Sequence, residues 1–214
     1  MEQLTGLLSE IECYTCFVYS PRDPSELGLK ARSACHQLKR GDEKIISSTC
    51  RYVATNRETL QLADILGPHV TLVPVPGSKP LHSSDSLWPA RSLVESLVRH
   101  GMGRDWHPLL LRTTGVPKSA FAPPGSRPTA RRHYDTMHAV PANLASTAIT
   151  LVDDVITKGA TMLGALSRLT EAWPDIPVAG FALVRTMSYQ AVRKNPLPAL
   201  CRIRLDGERT VRNP

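Results

Sequence analysis

Apolar positions recur along this chain with different periods, and each period predicts a different element. Leu27, Ala31, Ala34, Cys35 and Leu38 fall at helical spacing within residues 24–39, and Gly41-Asp42 closes that helix. Asn56 reads as the N-cap of a second helix running through Leu60, Leu62 and Ile65 and ended by Gly67-Pro68. Residues 70–75 then form an unbroken, β-branched apolar run, as a strand buried on both faces requires. An amphipathic helix over 89–99 stops at Gly101, and 109–111 is a short strand candidate. The clearest pattern is strand 148–152, helix 161–173 and strand 178–184, with Thr150 the only polar side chain inside the first strand. Short joints between them imply a right-handed crossover in a parallel sheet, hence an α/β fold. A last strand is expected over 199–205, with a frayed basic tail beyond.

One stretch breaks the alternation. Residues 112–134 hold Pro117, Pro123, Pro124 and Pro128 together with Lys118, Arg127, Arg131 and Arg132. A structureless segment of that length inside a compact domain is a binding loop, a lid or a linker. Its basic content, just ahead of the clearest motif, favours a mobile lid over a plain connector.

The chain has 214 residues and a formal net charge of +7, which favours anionic partners: a phosphorylated small molecule, a nucleic acid or an acidic protein. Aromatic residues make up only 5%, which weakens any stacking platform for single strands. No run approaches the roughly eighteen apolar residues of a membrane span, and Met1-Glu2-Gln3-Leu4 lacks the features of a secretory signal. The expectation is a cytoplasmic protein without a membrane partner. Five cysteines include one C-x-x-C, Cys13 and Cys16, for which packing is favoured over zinc. His133 and His138 lack metal spacing and are read as surface or packing residues.

The chemistry lies in the segment from Leu151 to Thr161, Leu-Val-Asp-Asp-Val-Ile-Thr-Lys-Gly-Ala-Thr. An apolar strand delivers Asp153 and Asp154 at its C-terminal end, where open α/β sheets bind ligands. Thr157-Lys158-Gly159-Ala160-Thr161 then opens a helix, whose unpaired N–H groups suit a phosphate. Gly159 lets the backbone approach the phosphate oxygens, and the two threonine hydroxyls add donors. Carboxylates for sugar hydroxyls and amides for an adjoining phosphate thus share one site. The spacing matches neither a Walker loop nor a dinucleotide fingerprint.

This segment resembles the phosphoribosyl diphosphate (PRPP) signature of type I phosphoribosyltransferases, in the form found in the ComF-type competence-protein branch. Three further segments are similar to that branch: Val73-Pro74-Val75-Pro76, His36 to Asp42 with its Leu-Lys and Gly-Asp turn, and Phe181 to Arg185. The resemblance implies a mostly parallel sheet of about five strands flanked by helices, over residues 51–214, with a small N-terminal hood over 1–50. It implies that Val75, Pro76, Gly77, Ser78 and Lys79 hold pyrophosphate, and that Mg²⁺ enters through PRPP. Asp153 and Asp154 would orient the ribose, residues Thr157 to Thr161 would hold its phosphate, and Arg131 and Arg132 would close over the diphosphate. The chain departs from the branch in lacking the second C-x-x-C pair, the Arg-Gly-Phe-Asn that follows Val-Pro-Val-Pro, and the Asn of the later basic region. Thr157 stands where hypoxanthine–guanine transferases carry a purine-binding Asp, which argues against a 6-oxopurine acceptor. Two readings follow. One is a transferase passing phosphoribosyl to an unidentified acceptor with release of pyrophosphate. The other is a catalytically silent PRPP or nucleotide binder acting through a protein or nucleic-acid partner, as in DNA uptake, defence or a toxin-like complex. Homo-oligomerisation is left open.

Overall fold

A computed structural model describes residues 6–80, 87–117, 127–194 and 200–213. The chain begins with β1 (Glu10–Tyr19), then α1 (Glu26–Lys39), α2 (Glu43–Thr55), β2 (Val70–Pro74), α3 (Pro89–Arg99) and β3 (Asp105–Trp106). It continues through β4 (Leu110–Arg112), α4 (Ala130–Thr136), β5 (Met137–Ala139), β6 (Ala148–Ile156), α5 (Ala160–Ala172) and β7 (Val178–Thr186). A short helix, α6 (Tyr189–Lys194), precedes the hairpin of β8 (Cys201–Asp206) and β9 (Arg209–Asn213).

Seven strands form one sheet in the order β3-β2-β6-β7-β1-β8-β9. From β3 to β1 every neighbouring pair is parallel, whereas β8 and β9 add an antiparallel margin. The fold is therefore α/β with a mostly parallel central sheet flanked by helices. Leu93, Val94 and Leu97 of α3 pack on one face with Leu38 of α1 and Ile46 and Val53 of α2. Met162, Leu163, Leu166 and Leu169 of α5 pack on the other. Both β2-α3-β3 and β6-α5-β7 join adjacent parallel strands. They run outward in opposite directions along the sheet, so crossovers of one hand place their helices on opposite faces. The order reverses between β2 and β6, which makes their C-terminal ends the topological switch point.

Several expectations are corrected. Within the described part of the expected hood, residues 6–50, β1 is not separate but lies inside the sheet between β7 and β8, because Ile11, Cys13 and Cys16 are apolar enough to be buried on both faces. The helix expected after Asn56 is a succession of turns, and Asn56 instead caps the end of α2, its side chain donating to the Tyr52 carbonyl at 2.8 Å. Gln61, at φ +54°, interrupts any helix there. Leu27, placed on the apolar face of α1, is 77% exposed. The basic tail is β9, paired with β8 through a turn at Gly207 (φ +60°). The expected last strand begins at Ala199, which lies outside the described residues; from Cys201 it is β8. Among the described residues no helix is long and apolar enough to cross a membrane.

The C-x-x-C does not converge. Cys13 belongs to the core under α5, in register with Cys201 of β8, and Cys16 to the core under α1–α3. Two thiols on opposite faces of one strand cannot share a tetrahedral metal.

Candidate functional site

Two segments meet at the switch point because β2 and β6 are paired in parallel, Val73 beside Leu151 and Pro74 beside Val152. The pairing extends one residue past β2, where the Val75 amide donates to the Val152 carbonyl at 2.9 Å. Val75 and Pro76 are buried, Gly77 and Ser78 half-buried, and Lys79 exposed. The expected diphosphate loop and the acidic strand end are therefore side by side.

The sheet pairing of β6 runs through both acids, with Asp153 beside Ala182 of β7. Asp153 Oδ1 accepts from the Asp154 amide at 2.9 Å, and Asp154 Oδ1 accepts from the Val155 amide at 2.7 Å. Burial, followed by repulsion from Asp154, pushes the Asp153 carboxyl well above its ordinary value, partly offset by the Asp154 amide and the Lys39 charge. Asp154 is close enough to Cys35 of α1 to oppose ionisation of that thiol, which burial pushes up to about 11. Negative charge on Asp153 is thus disfavoured by burial and by its neighbour, an arrangement that hydroxyl donors or a cation relieve.

Thr157 and Lys158 are exposed in the turn after β6. Gly159 is the N-cap of α5 in the left-handed region, at φ +85°, with no side chain capping the first turn. The N–H groups of that turn face the same end of the sheet as the acids. A Cβ on Gly159 would lie 2.6 Å from Ile203 Cδ1, so this glycine is also required by the packing of β8 on α5. Ala160 and Thr161 complete the turn.

Sequence reasoning missed a buried polar chain beside this turn. Arg112, only 3% exposed, donates from Nε to the Gly77 carbonyl at 2.6 Å and from Nη1 to Thr136 Oγ1 at 2.7 Å. Its Nη2 lies 3.3 Å from His133 Nδ1, and His133 Nε2 lies 3.2 Å from Thr161 Oγ1. Burial, aided by the Arg112 charge, holds the His133 pKa down to about 3, so the ring is neutral at physiological pH. Burial likewise lowers Arg112 to about 10, which leaves it charged. The close approach of α4 to α5 that makes this possible occurs at Gly164, where a Cβ would sit 2.6 Å from the Ala130 carbonyl. His133 is therefore a buried hydrogen-bonding residue and not a surface one, while His138 is exposed.

The expected lid is only partly a loop. Arg112 ends β4, which pairs with β5 in a separate ribbon, and residues 130–136 are α4, begun by Thr129 Oγ1 accepting from the Arg132 amide. Residues 118–126, with Lys118, Pro123 and Pro124, lie outside the described residues. Arg131 pairs with Asp135 at 3.0 Å and lies 5.4 Å from the Tyr134 ring centre. The Tyr134 hydroxyl donates to Glu171, ten residues along α5 from Thr161, or about 15 Å at helical rise. Arg131 thus sits beside the far end of α5, and Arg132 is exposed on α4. The structure brings together the Val75–Ser78 segment, the two acids and Gly159 to Thr161, but not Arg131 or Arg132. A groove of about 260 Å³ lined by Glu10, Ile11, Tyr14, Leu166 and Val178 lies at the other end of the sheet, away from these groups. Among known proteins, no family model and no curated sequence matches this chain.

Proposed function

We propose that the chain binds PRPP at the switch point and transfers its phosphoribosyl group to an acceptor, releasing pyrophosphate. The observation that carries this reading is the juxtaposition of two segments with complementary chemistry. Val75–Ser78 supplies backbone groups at the end of β2, and Asp153 to Thr161 supplies carboxylates and a helix start at the end of β6. In this reading the first turn of α5 holds the ribose phosphate, with Thr157, Lys158 and Thr161 adding donors and charge. Asp153 and Asp154 orient the ribose hydroxyls and favour positive character at the anomeric carbon. The segment from Val75 to Lys79 faces the departing pyrophosphate.

The acids also fit Mg²⁺, a cation that keeps several waters and pairs one or two carboxylates with substrate phosphates. Among the described residues no group of three or more metal ligands occurs, so the remaining oxygens would come from PRPP and water. When bound, Mg²⁺ would offset charge on the diphosphate. The chain's own contribution is to hold both ends of the substrate on rigid strand ends and exclude water between them.

The silent-binder reading draws support from the cations: Arg131 is held by Asp135 at the far end of α5, and Lys79 is exposed. Calorimetry with PRPP and Mg²⁺ tests the shared claim. Wild type is expected to bind, and Asp153→Asn combined with Asp154→Asn to weaken binding by at least about tenfold, since charged acceptors hold hydroxyls more strongly than amides. Unchanged affinity in a folded double variant rules out this site. Pyrophosphate release with a panel of bases and amines then separates transferase from binder. Gly159→Val is unsuitable for this purpose, because it also collides with Ile203.

A further inference from the structure

We propose that His133, held by Arg112, is a positioning residue that fixes the Thr161 hydroxyl as a hydrogen-bond donor toward the phosphate at the start of α5. The proposal rests on the phosphate reading above. It follows from hydrogen-bond valence along the buried chain. A guanidinium has donors only, so the His133 Nδ1 that lies 3.3 Å from Arg112 Nη2 must accept. A neutral imidazole carries one N–H, which is therefore on Nε2 and donates to Thr161 Oγ1 at 3.2 Å. That bond occupies a lone pair of the hydroxyl and leaves its hydrogen to donate. Among the described residues Thr161 Oγ1 has no second partner.

The opposite tautomer would take the hydrogen of Thr161 into the protein and turn oxygen lone pairs toward an anion. Arg112 prevents this, and it is itself fixed by the Gly77 carbonyl and Thr136 Oγ1. Because Gly77 follows β2, one guanidinium ties the diphosphate-facing segment to the polarity of the phosphate-facing hydroxyl. A low His133 pKa, about 3, keeps the ring from acquiring a second N–H under working conditions.

Nitrogen-15 spectra of the histidine rings in the full chain, without ligand, give the first arm. A protonated Nε2 and an unprotonated Nδ1 for His133 are expected across about pH 5 to 8. An Nδ1–H tautomer or a doubly protonated ring overturns the proposal, whatever the protein binds. The second arm measures ribose 5-phosphate and PRPP affinity. His133→Gln can still accept from Arg112 and donate to Thr161, and should bind within about threefold of wild type. His133→Phe should lose about tenfold in a wild-type background and nothing further when Thr161 is already Val. Equal affinity of wild type, His133→Gln and His133→Phe overturns positioning even with the expected tautomer. So does an equal loss from His133→Phe in the Thr161→Val background. If His133→Phe does not fold, a large loss in His133→Gln, or none in Thr161→Val, overturns it instead. Failure of wild type to bind either phosphate ester would defeat the phosphate reading, leaving the spectra to decide the tautomer.

Discussion

The two sides of the switch-point crevice differ in how far their polar groups are satisfied. On the α4–α5 side, Arg112, His133, Thr136 and Thr161 form a buried chain in which Arg112 bonds through Nε, Nη1 and Nη2 and both His133 nitrogens are engaged, leaving the Thr161 hydrogen at its outer end. On the strand-end side, Asp153 and Asp154 are linked through a backbone amide, and burial and mutual repulsion act against Asp153. A satisfied buried network rigidifies its surroundings, whereas a strained acid pair costs stability until a ligand offsets it. The difference places most of the rigid support on one side and, in the proposed reading, the stronger demand for a ligand on the other.

The comparison breaks most readily at Arg112. Replacing it with Met keeps much of the side chain's volume but leaves the half-buried Gly77 carbonyl and the buried His133 Nδ1 without this donor. The expected loss is about 3 kcal/mol in urea unfolding, from several lost bonds to a charged donor and two orphaned acceptors. A loss under about 1 kcal/mol would mean that the chain contributes little to the fold.

Acid tests the same network through His133. Its folded pKa, about 3, lies below the ordinary 6.5, so between those values the unfolded chain binds the proton and the folded one does not. Stability from this group is complete above pH 6.5 and falls as pH drops, by up to about 1.4 kcal/mol per pH unit. The slope should be visible as the difference between wild type and His133→Gln in unfolding curves from neutral to acid pH. Parallel curves would show that the ring is accessible to protons.

What could be read from the sequence follows from what is local. The β6-α5-β7 unit was legible because a continuous apolar strand, a glycine at the helix start and a second apolar strand each carry their own signal. The small ribbon, β4 and β5, was half legible, since 109–111 is apolar but Met137–Ala139 has no period. Helix α2 was hidden because Ile45, Ile46, Ser47, Ser48 and Thr49 are weak helix formers. Its cap, Asp42 accepting from the Lys44 and Ile45 amides, resembles the turn that closes α1. Leucine spacing after Asn56 then drew the helix too far along the chain. In the site, the acids and the glycine stood out because they are consecutive. Arg112, His133 and Thr161 did not, because only the close packing of α4 on α5 at Gly164 brings these distant residues together.

The finest test asks whether the strand-end acids really oppose folding. Asp153→Asn keeps an oxygen that can accept from the Asp154 amide and removes the charge that burial and Asp154 disfavour. The sign is fixed by linkage. Because the folded pKa lies above the ordinary 3.8, the folded chain holds a proton that the unfolded chain has released, and stability is lost as pH rises toward the folded value. Asn escapes that loss. The variant should therefore be more stable than wild type at neutral pH, by about 1 kcal/mol, while binding PRPP less well. Below pH 3.8 the carboxyl is neutral in both states and the two proteins should unfold alike. A variant that is less stable than wild type at pH 7 would place Asp153 among the satisfied groups, and the contrast between the two sides of the crevice would disappear. Lys39, whose charge lowers the Asp153 pKa, provides the control: Lys39→Met should leave the acid less compensated and enlarge the gain from Asp153→Asn.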